Sequence, residues 1–369
     1  MSKLQNTVQI RQAVLADYPQ IAALEARYGL RPKPYDEWIH LWSDNPACPP
    51  GWTIGWVVEN GSKDIVGYVG NVPSAFEIRG RKLIAASGRG LVVDEQYRSY
   101  SFPLFSLFFN QSNVDLIVNT TVNVNAVKLH ELFHCERVPV GVWNRSVFWI
   151  TDYRGFAVKL AATKNLPLPN LLGYPIQAAL AVKDKLRRRP LKPVWDALEA
   201  AVATTFDQRF DAFWEELRRR HSDSLLASRS RSTLNWHFRF SLESGRAWVA
   251  TVSRENALVA YAVYLRQDNH EVGLKRVRLV DFRALDDNPE LLIPMLTMTL
   301  RRCHEQKVEM LEVIGASPTT QRVLADFAPH HRDLPAWMYF YKAKDKQLAE
   351  TLKDPAVWDP SPFDGDGAL

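Results

Sequence analysis

The feature that most constrains this fold is an order of predicted elements that occurs twice along the chain. In the first half, a strand ("TVQIRQA") and a helix ending at Gly29 precede two hairpins, which turn at Gly61-Ser62 and at Arg79-Gly80-Arg81. A helix, a short strand, a second helix and a last strand near "GVWNRSVFWI" follow. The second half repeats this order from "STLNWHFRF" to "PAWMYFYKA", with a hairpin over 249–263. A repeat of this length indicates a duplicated domain rather than a solenoid.

The length of 369 residues agrees with two domains. The pattern predicts an N-terminal domain over 1–150, a helical basic linker over 151–196, a C-terminal domain over 197–345 and a tail over 346–369. The linker contains the run "KDKLRRRPLKP" at Lys183–Pro193, which is typical of a solvated face, with contact to an anionic surface or carrier as the alternative. The tail is rich in Pro, Gly and Asp and is too polar for a core, although Trp358 could anchor it.

The composition is that of a globular chain, with 46% hydrophobic and 24% charged residues. The formal charge of +5 suits phosphate-bearing ligands, nucleic acid or an anionic membrane surface and selects none of them. Three distant cysteines fit neither a disulfide framework nor a metal site. The N-terminus has no apolar signal core and no apolar run is long enough to span a bilayer, so we expect a cytoplasmic protein.

One joint between a strand and a helix carries candidate binding groups. In "LVVDEQYRSYSFPLFSLFF", Leu91 to Phe109, a buried strand runs into a charged turn that contains Arg98 and two serines. A helix start exposes N–H groups and the positive end of its dipole, so it can hold a diphosphate. An ordinary joint with Ser99 or Ser101 as N-cap is the simpler alternative.

Together with the element order, this joint resembles the acyl-CoA turn of the Gcn5-related N-acetyltransferase family. The family pattern Arg-x-x-Gly-x-Gly/Ala is matched by Arg98, Ser101 and Pro103, with serine and proline in place of the small residues. The later family pattern Asn-x-x-Ala-x-x-Leu-Tyr is matched by Asn123 and the residues after it, up to His130 in the tyrosine place. The resemblance covers 7–150 well and about 197–345 more loosely.

The resemblance implies a fold class and a set of site residues. It implies an α/β (α+β) fold of two tandem domains of this family, each with a mixed, mostly antiparallel central sheet flanked by helices. The acyl-CoA would lie on the first domain, with a backbone N–H near Val92 or Val93 holding the oxyanion. The implied cofactor-binding residues are Val92, Val93, Arg98, Ser99, Tyr100, Ser101, Phe102 and Asn123.

The catalytic assignment that the resemblance implies is His130. The family tyrosine protonates the departing CoA thiolate, and an imidazole can also donate a proton near neutral pH. A polar surface residue or a hydrogen-bonded core histidine is the alternative for His130. The general base stays open, with candidates by position only: Glu59, Asp94, His40 and Asp44.

The second half departs from the family turn. After "VRLVDFRAL" it has the acidic run Asp286–Pro289, whose carboxylates would repel a diphosphate. We therefore expect this half to shape an acceptor cleft at the domain junction, where Trp236, Arg239 and Trp248 could line it.

The function that follows by resemblance is transfer of an acyl group, with acetyl favoured, from acyl-CoA to an amine of a small molecule such as an amino sugar or an amino acid. Acetyl-CoA or another acyl-CoA would be the co-substrate, no metal or nucleic acid is expected, and the oligomeric state is open. The alternatives are a non-catalytic binding or scaffold protein of the same fold and a Fem-type aminoacyl transferase, since fold alone does not determine function.

Overall fold

Two mixed, mostly antiparallel sheets flanked by helices build this protein, which confirms the predicted fold class. The computed structural model describes residues 8–141, 143–187, 199–334 and 337–369. Within them, no helix is both long and apolar enough to cross a membrane, and no three potential ligand side chains gather as a metal site would require.

The first sheet has the strand order β1-β2-β3-β4-β5-β15-β6, with the short strand β9 paired to β3. Its contacts are antiparallel except between β4 and β5, which run parallel. The strands are β1 (Gln9–Gln12), β2 (Gly55–Glu59), β3 (Ile65–Ile78), β4 (Arg81–Val93), β5 (Leu116–Val122), β6 (Glu136–Arg137), β9 (Leu226–Ala227) and β15 (Met338–Ala343).

The second sheet has the order β14-β7-β13-β12-β11-β10-β8. It also has one parallel contact, between β12 and β13, at the place that corresponds to β4 and β5. The strands are β7 (Arg145–Ile150), β8 (Glu199–Ala203), β10 (Ala247–Arg254), β11 (Ala257–Arg266), β12 (Arg276–Ala284), β13 (Met310–Ile314) and β14 (His330–Asp333).

Helices cover both sheets and join the halves. The α-helices are α1 (Tyr18–Arg27), α2 (Tyr35–Ser43), α3 (Ser101–Phe109), α4 (Val127–Leu132), α5 (Tyr153–Thr163), α6 (Pro169–Arg187), α7 (Arg209–Arg220), α8 (Arg231–Glu243), α9 (Leu292–Glu305), α10 (Pro318–Phe327) and α11 (Lys346–Thr351). Short 3₁₀ turns lie at Leu15–Asp17, Glu95–Tyr100, Pro289–Leu291, Pro355–Val357, Pro362–Asp364 and Asp366–Ala368.

The predicted hairpins are present because their turn residues supply the required backbone. At the β3–β4 turn, Arg79 and Gly80 have φ of 51° and 72°, which is the pair of positive angles that a tight two-residue hairpin needs. Ile78 therefore pairs directly with Arg81. The hairpin β10–β11 of the second half turns on Glu255 and Asn256, whose φ values are also positive.

The last strand of each half lies in the sheet of the other half. β7 pairs with β13 of the second sheet, and β15 pairs with β5 of the first. The predicted boundaries at 150 and 345 therefore do not coincide with the edges of the two sheets. Each sheet buries a strand of the other half, so the two halves are joined by backbone hydrogen bonds as well as by side chains.

The tail is mostly buried from Val357 onwards, contrary to the expectation from its polar composition, and Trp358 anchors it as expected. Trp358 and Phe363 belong to the hydrophobic cluster between the sheets, together with Phe210 and Tyr261. Inside the protein, Asp364 pairs with Arg229 and Asp366 accepts hydrogen bonds from Thr120. Of the predicted linker, α5 and α6 are helical, with a short turn over 164–168 between them, and the basic run is described only as far as Arg187.

Candidate acyl-CoA site

The candidate site begins where β4 and β5 separate. The two strands pair at Ala85 with Leu116 and at Ala86 with Ile117, and no further pair between them occurs in the described residues. β4 continues to Val93 along β3, with a register shift between Tyr68 and Gly70 on β3. Gly90, opposite this shift, has φ of 66°, a conformation that favours glycine. A wedge-shaped opening therefore separates the second half of β4 from β5.

The edge of β4 presents backbone groups to this opening. The N–H of Asp94 donates to the Val66 carbonyl of β3 at 2.7 Å. Because the direction of backbone groups alternates along a strand, the groups of Val92 point to β3 and those of Leu91 and Val93 point to the opening. Of the two predicted oxyanion donors, Val93 is thus the one whose N–H lies at the open edge. The backbone groups of Val92 point to β3 instead.

The turn after β4 holds the predicted diphosphate residues at the surface. Arg98 is 73% exposed along its side chain, and its guanidinium lies 3.5 Å from Glu95 of the same turn. Ser99 is exposed, Tyr100 and Ser101 are half-buried, and α3 begins at Ser101 without a side-chain cap from the described residues. The N–H of Ser101 donates to the Arg98 carbonyl of the 3₁₀ turn that runs directly into α3, and Pro103 at the third position of α3 lacks an N–H. The start of α3 therefore offers an outside anion fewer N–H groups than the sequence predicted, and Arg98 is the exposed cation of this turn.

Asn123 shapes the turn between β5 and α4. Its side-chain oxygen accepts hydrogen bonds from the N–H groups of Asn125 and Ala126 at 3.0 and 3.1 Å. This is an Asx turn, in which the short side chain replaces a backbone acceptor. Asn123 is exposed at the mouth of the opening, but its carbonyl oxygen already serves the protein.

His130 is a buried histidine with both ring nitrogens hydrogen-bonded. Its Nδ1 lies 2.8 Å from the Ala126 carbonyl, so Nδ1 carries the proton and donates. Nε2 then accepts from the Asn119 amide at 3.1 Å, while the Asn119 oxygen accepts from the Gly88 N–H at 2.9 Å. Burial lowers the pKa of His130, so the neutral ring is favoured. This environment corresponds to the alternative of a hydrogen-bonded core histidine and does not offer an N–H to a departing thiolate.

The chain from His130 through Asn119 to Gly88 instead spans the narrow end of the opening. It ties β5 and α4 to the strand edge where the two strands part. Nothing in the sequence pattern predicted Asn119, because its partners come from β4 and α4.

A carboxyl group lies on the other side of the β4 bulge. Glu25 of α1 is 2% exposed and its Oε1 lies 3.3 Å from Arg89 of β4. A Cβ added at Gly90 would overlap with this oxygen, which places Glu25 directly beside the bulge. Burial raises the pKa of Glu25, although Arg89 and Lys33 oppose the shift. Glu25 is not among the residues that the sequence predicted for the site. The signal that could have indicated it is a charged residue on the buried face of α1.

The four candidate bases by position lie elsewhere. Glu59, at the end of β2, accepts from Arg11 and Lys63, and hydrogen bonds from Lys63, Arg11 and Gln9 lower its pKa to about 2. Asp94 pairs with Arg27 at 2.9 Å. His40 contacts Asp44 and the Trp236 carbonyl, each at 2.9 Å. Each has a structural partner, and none is beside the Gly90 bulge.

Comparison with known proteins gives structural matches. No model of a known protein family matches the sequence, and no curated protein matches it. A Gcn5-related N-acetyltransferase from Kribbella flavida matches with a TM-score of 0.55 at 10% identity, over 93% of this chain and 72% of its own. One from Anabaena variabilis ATCC 29413 matches with a TM-score of 0.51 at 10% identity, over 92% and 73%. The fold is that of the Gcn5-related N-acetyltransferases.

A third structural match is an enzyme whose structure contains a bound acyl-CoA. The N-myristoyltransferase of Saccharomyces cerevisiae, with bound myristoyl-CoA, matches with a TM-score of 0.53 at 10% identity, over 93% of this chain and 81% of its own. The names of these three proteins all describe acyl transfer.

The second sheet also has an opening, between β12 and β13. Pairing ends at Leu279 with Val313, and a cavity of about 380 Å³ follows, lined by β12, the start of α10 and the tail. Asp287 lies at this cavity, as expected from the acidic turn. Of the predicted acceptor-cleft residues, Trp236 and Arg239 line a different cavity beside His40, and Trp248 is buried under Arg302.

The tail closes the junction between the two sheets beside the first opening. Asp366 accepts from the N–H and hydroxyl of Thr120 on β5, at 2.6 and 2.9 Å, and from the hydroxyl of Thr121. The Gly367 N–H donates to the Thr120 hydroxyl at 2.8 Å. The free edge of β5 is therefore covered by the tail, while the edge of β4 at Leu91 and Val93 remains open.

Proposed function

We propose that this protein transfers an acyl group, with acetyl favoured, from acyl-CoA to the amine of a small molecule. The observation that carries the proposal is the open edge of β4 at Leu91 and Val93, next to the turn with the exposed Arg98. An extended chain with amide groups, such as the pantetheine arm, can add to such an edge like a further strand. The exposed guanidinium of Arg98 in the adjoining turn suits the diphosphate at the other end of the arm.

The surroundings of the opening support the same ligand. Phe102 on α3 is 53% exposed and stacks on Phe133 at 5.2 Å between centroids. Val124 and Leu132, before and at the end of α4, are 54% and 59% exposed. Exposed apolar groups beside Arg98 fit a ligand that combines an apolar arm with phosphates.

The proposed chemistry uses the residues beside the bulge. The amine nitrogen attacks the thioester carbonyl, whose oxygen becomes negative and is held by the Val93 N–H. The C–S bond then breaks, and CoA leaves as the thiolate. Glu25 takes the proton that the amine loses, because burial raises the pKa of its carboxyl group and so makes it a stronger base than an exposed carboxylate. His130 acts as a positioning residue, through Asn119 on Gly88.

The test is release of CoA thiol from acetyl-CoA in the presence of a panel of amines, followed with a thiol-reactive dye. We expect Glu25→Gln to lower kcat by about a hundredfold, the usual scale for a lost general base. Glu59→Gln is the matched control, since Glu59 is also buried and paired with an arginine but lies far from the bulge. Equal kcat values for the two variants would remove Glu25 from the mechanism.

Two further outcomes bear on the other assignments. An ionisation in the pH–rate profile that disappears in His130→Asn would show that His130 is the general acid after all. CoA binding without thiol release for any amine would favour the non-catalytic alternative, and a thermal-shift experiment would detect such binding because a ligand of the native state raises its Tm.

A further inference from the structure

Three arginines of the second sheet meet around a single buried glutamate. Glu312 of β13 is fully buried and accepts from Arg278 of β12 at 2.7 Å and from Arg332 of β14 at 2.6 Å. Arg276 of β12 lies 3.3 Å from the same carboxylate. Ser146 of β7 donates to it at 2.7 Å. Four neighbouring strands thus contribute to one cluster, here called the arginine triad with Glu312 at its centre.

The arginine triad has more positive than negative charge. Three guanidinium groups share one carboxylate, although the side chains of Arg276 and Arg278 are only 12% and 10% exposed. Asp268 is a further carboxylate nearby, but it is paired with Arg266. Burial and the neighbouring Arg278 lower the pKa of Arg276 to about 10. Partly buried charges of one sign are unfavourable unless a counter-charge is bound.

Each guanidinium keeps donors that Glu312 does not use. Arg278 directs Nε to Glu312 and Nη1 to Gln267, and within the described ranges its Nη2 has no acceptor. Arg332 uses Nη2 alone for Glu312, and its guanidinium lies over the Phe148 ring at 5.4 Å. The Arg278 guanidinium lies over the Trp337 ring at 4.8 Å. Stacking fixes the planes of both groups, so that their remaining N–H donors are pre-organised.

Gln267 links this cluster to the tail beside the first opening. Its Oε1 accepts from Arg278 at 3.4 Å, and its Nε2 donates to the Gly367 carbonyl at 3.2 Å. Gln267 also lines a cavity of about 130 Å³ together with Lys33, Arg246 and Leu369. Lys33 acts electrostatically on Glu25 at the bulge of β4. Gln267 therefore connects the arginine triad both to the tail and to the cavity that Lys33 lines.

We propose that Arg276, Arg278 and Arg332 bind an anionic group, a phosphate or a carboxylate, of the amine acceptor. The assignment of this ligand as the amine acceptor rests on the proposed acyl transfer, whereas the anion site itself rests on the arginine triad alone. The donors that Glu312 leaves unused on these three neighbouring guanidinium groups match the several oxygens of a phosphate, and a carboxylate would use two of them. The acceptor is then an amine that also carries an anionic group.

The anion site is tested by calorimetric titration of inorganic phosphate into the full chain carrying Arg98→Glu, which removes the other candidate phosphate site. We expect Arg278→Met and Arg332→Met, each added to this background, to weaken phosphate binding by about tenfold or more, since each removes charge-assisted hydrogen bonds. Arg302→Met is the matched control, because Arg302 also stacks on a tryptophan, Trp248 at 4.3 Å, outside the cluster. Equal phosphate affinity in all variants, or none in the background protein, would overturn the site.

The acceptor class is tested with pairs of amines that differ in one anionic group. Glucosamine is compared with glucosamine 6-phosphate, and an amino acid amide with the free amino acid, at saturating acetyl-CoA. We expect a lower KM for the anionic member in the wild type and an increase in that KM of about tenfold in Arg332→Met, with the neutral member unchanged. The pair that responds identifies phosphate or carboxylate.

The possible failures are distinguishable. Phosphate binding to the arginine triad without any thiol release would reject the proposed acyl transfer and retain the anion site. Thiol release without preference for the anionic amines would reject the acceptor class and retain the acyl transfer.

Discussion

The substitution Arg229→Met tests the contact that fastens the tail to the second sheet. Arg229 is 1% exposed and binds Asp281 of β12 at 2.9 Å and Asp364 of the tail at 2.7 Å. It also donates to Ser361 at 3.0 Å, and Phe363 lies 4.8 Å from its guanidinium. Burial alone would raise the pKa of Asp281, but Arg229 and Arg283 lower it to about 2.

Methionine fills much of the arginine volume but leaves two buried carboxyl groups with less counter-charge. Arg283, which lies 3.8 Å from Asp364, keeps part of the counter-charge. Breaking a buried pair in this way costs about 3–5 kcal/mol, a large part of the roughly 5–15 kcal/mol by which a domain is stable. The loss should be smaller at pH 4 than at pH 7, because the unpaired carboxyl groups of the variant can then take up protons.

The assay is urea unfolding at both pH values, followed by circular dichroism. Arg79→Met is the control, since Arg79 and Asp223 form an exposed pair at the β3–β4 turn whose loss costs about 1 kcal/mol or less. A loss for Arg229→Met no greater than that of the control would refute the stabilising role assigned to this network.

Two further predictions concern the bulge and the pH dependence of stability. Gly90→Ala should lower both stability and kcat, because the new Cβ would overlap with Glu25, whereas Gly80→Ala, also at positive φ but with nothing within 4 Å, should lower stability alone and by about 1 kcal/mol; equal effects on kcat would contradict this. Burial lowers the pKa of His237 from 6.5 to about 3, so the unfolded chain binds the extra proton between these values and stability should fall by about 1.4 kcal/mol for each pH unit below 6.5. His237→Gln should lack this part of the slope in pH-dependent urea unfolding, and an unchanged slope would assign it to other groups.

The element order and the hairpins could be predicted from the sequence because their signals are local. The turn at Arg79 and Gly80 and the alternation of β3 and β4 depend on neighbouring residues. The exchange of β7 and β15 between the sheets could not be predicted, since an apolar strand pattern does not encode its partner.

The burial of the tail and the choice between the two interpretations of His130 could not be predicted from the sequence for a related reason. The sequence suggests that Asp364 and Asp366 are exposed to solvent. Instead, Arg229 forms an ion pair with Asp364 and Thr120 donates hydrogen bonds to Asp366, each from more than a hundred positions away. His130 stands in the tyrosine place of the family pattern, but its Nε2 accepts a hydrogen bond from Asn119, which lies on β5. Contacts between separate elements of the fold, rather than the residues themselves, decided these environments.

The measurement that tests the proposed acyl-CoA site most directly is a calorimetric titration of the full chain with acetyl-CoA. We expect one binding event in the wild type and a loss of affinity of about tenfold or more in Arg98→Glu, because the new carboxylate would face the diphosphate. Arg301→Glu, which changes an exposed arginine on α9 of the second half, should bind as the wild type does. Equal affinity in Arg98→Glu and the wild type, or no binding at millimolar acetyl-CoA, would contradict a site at the opening between β4 and β5.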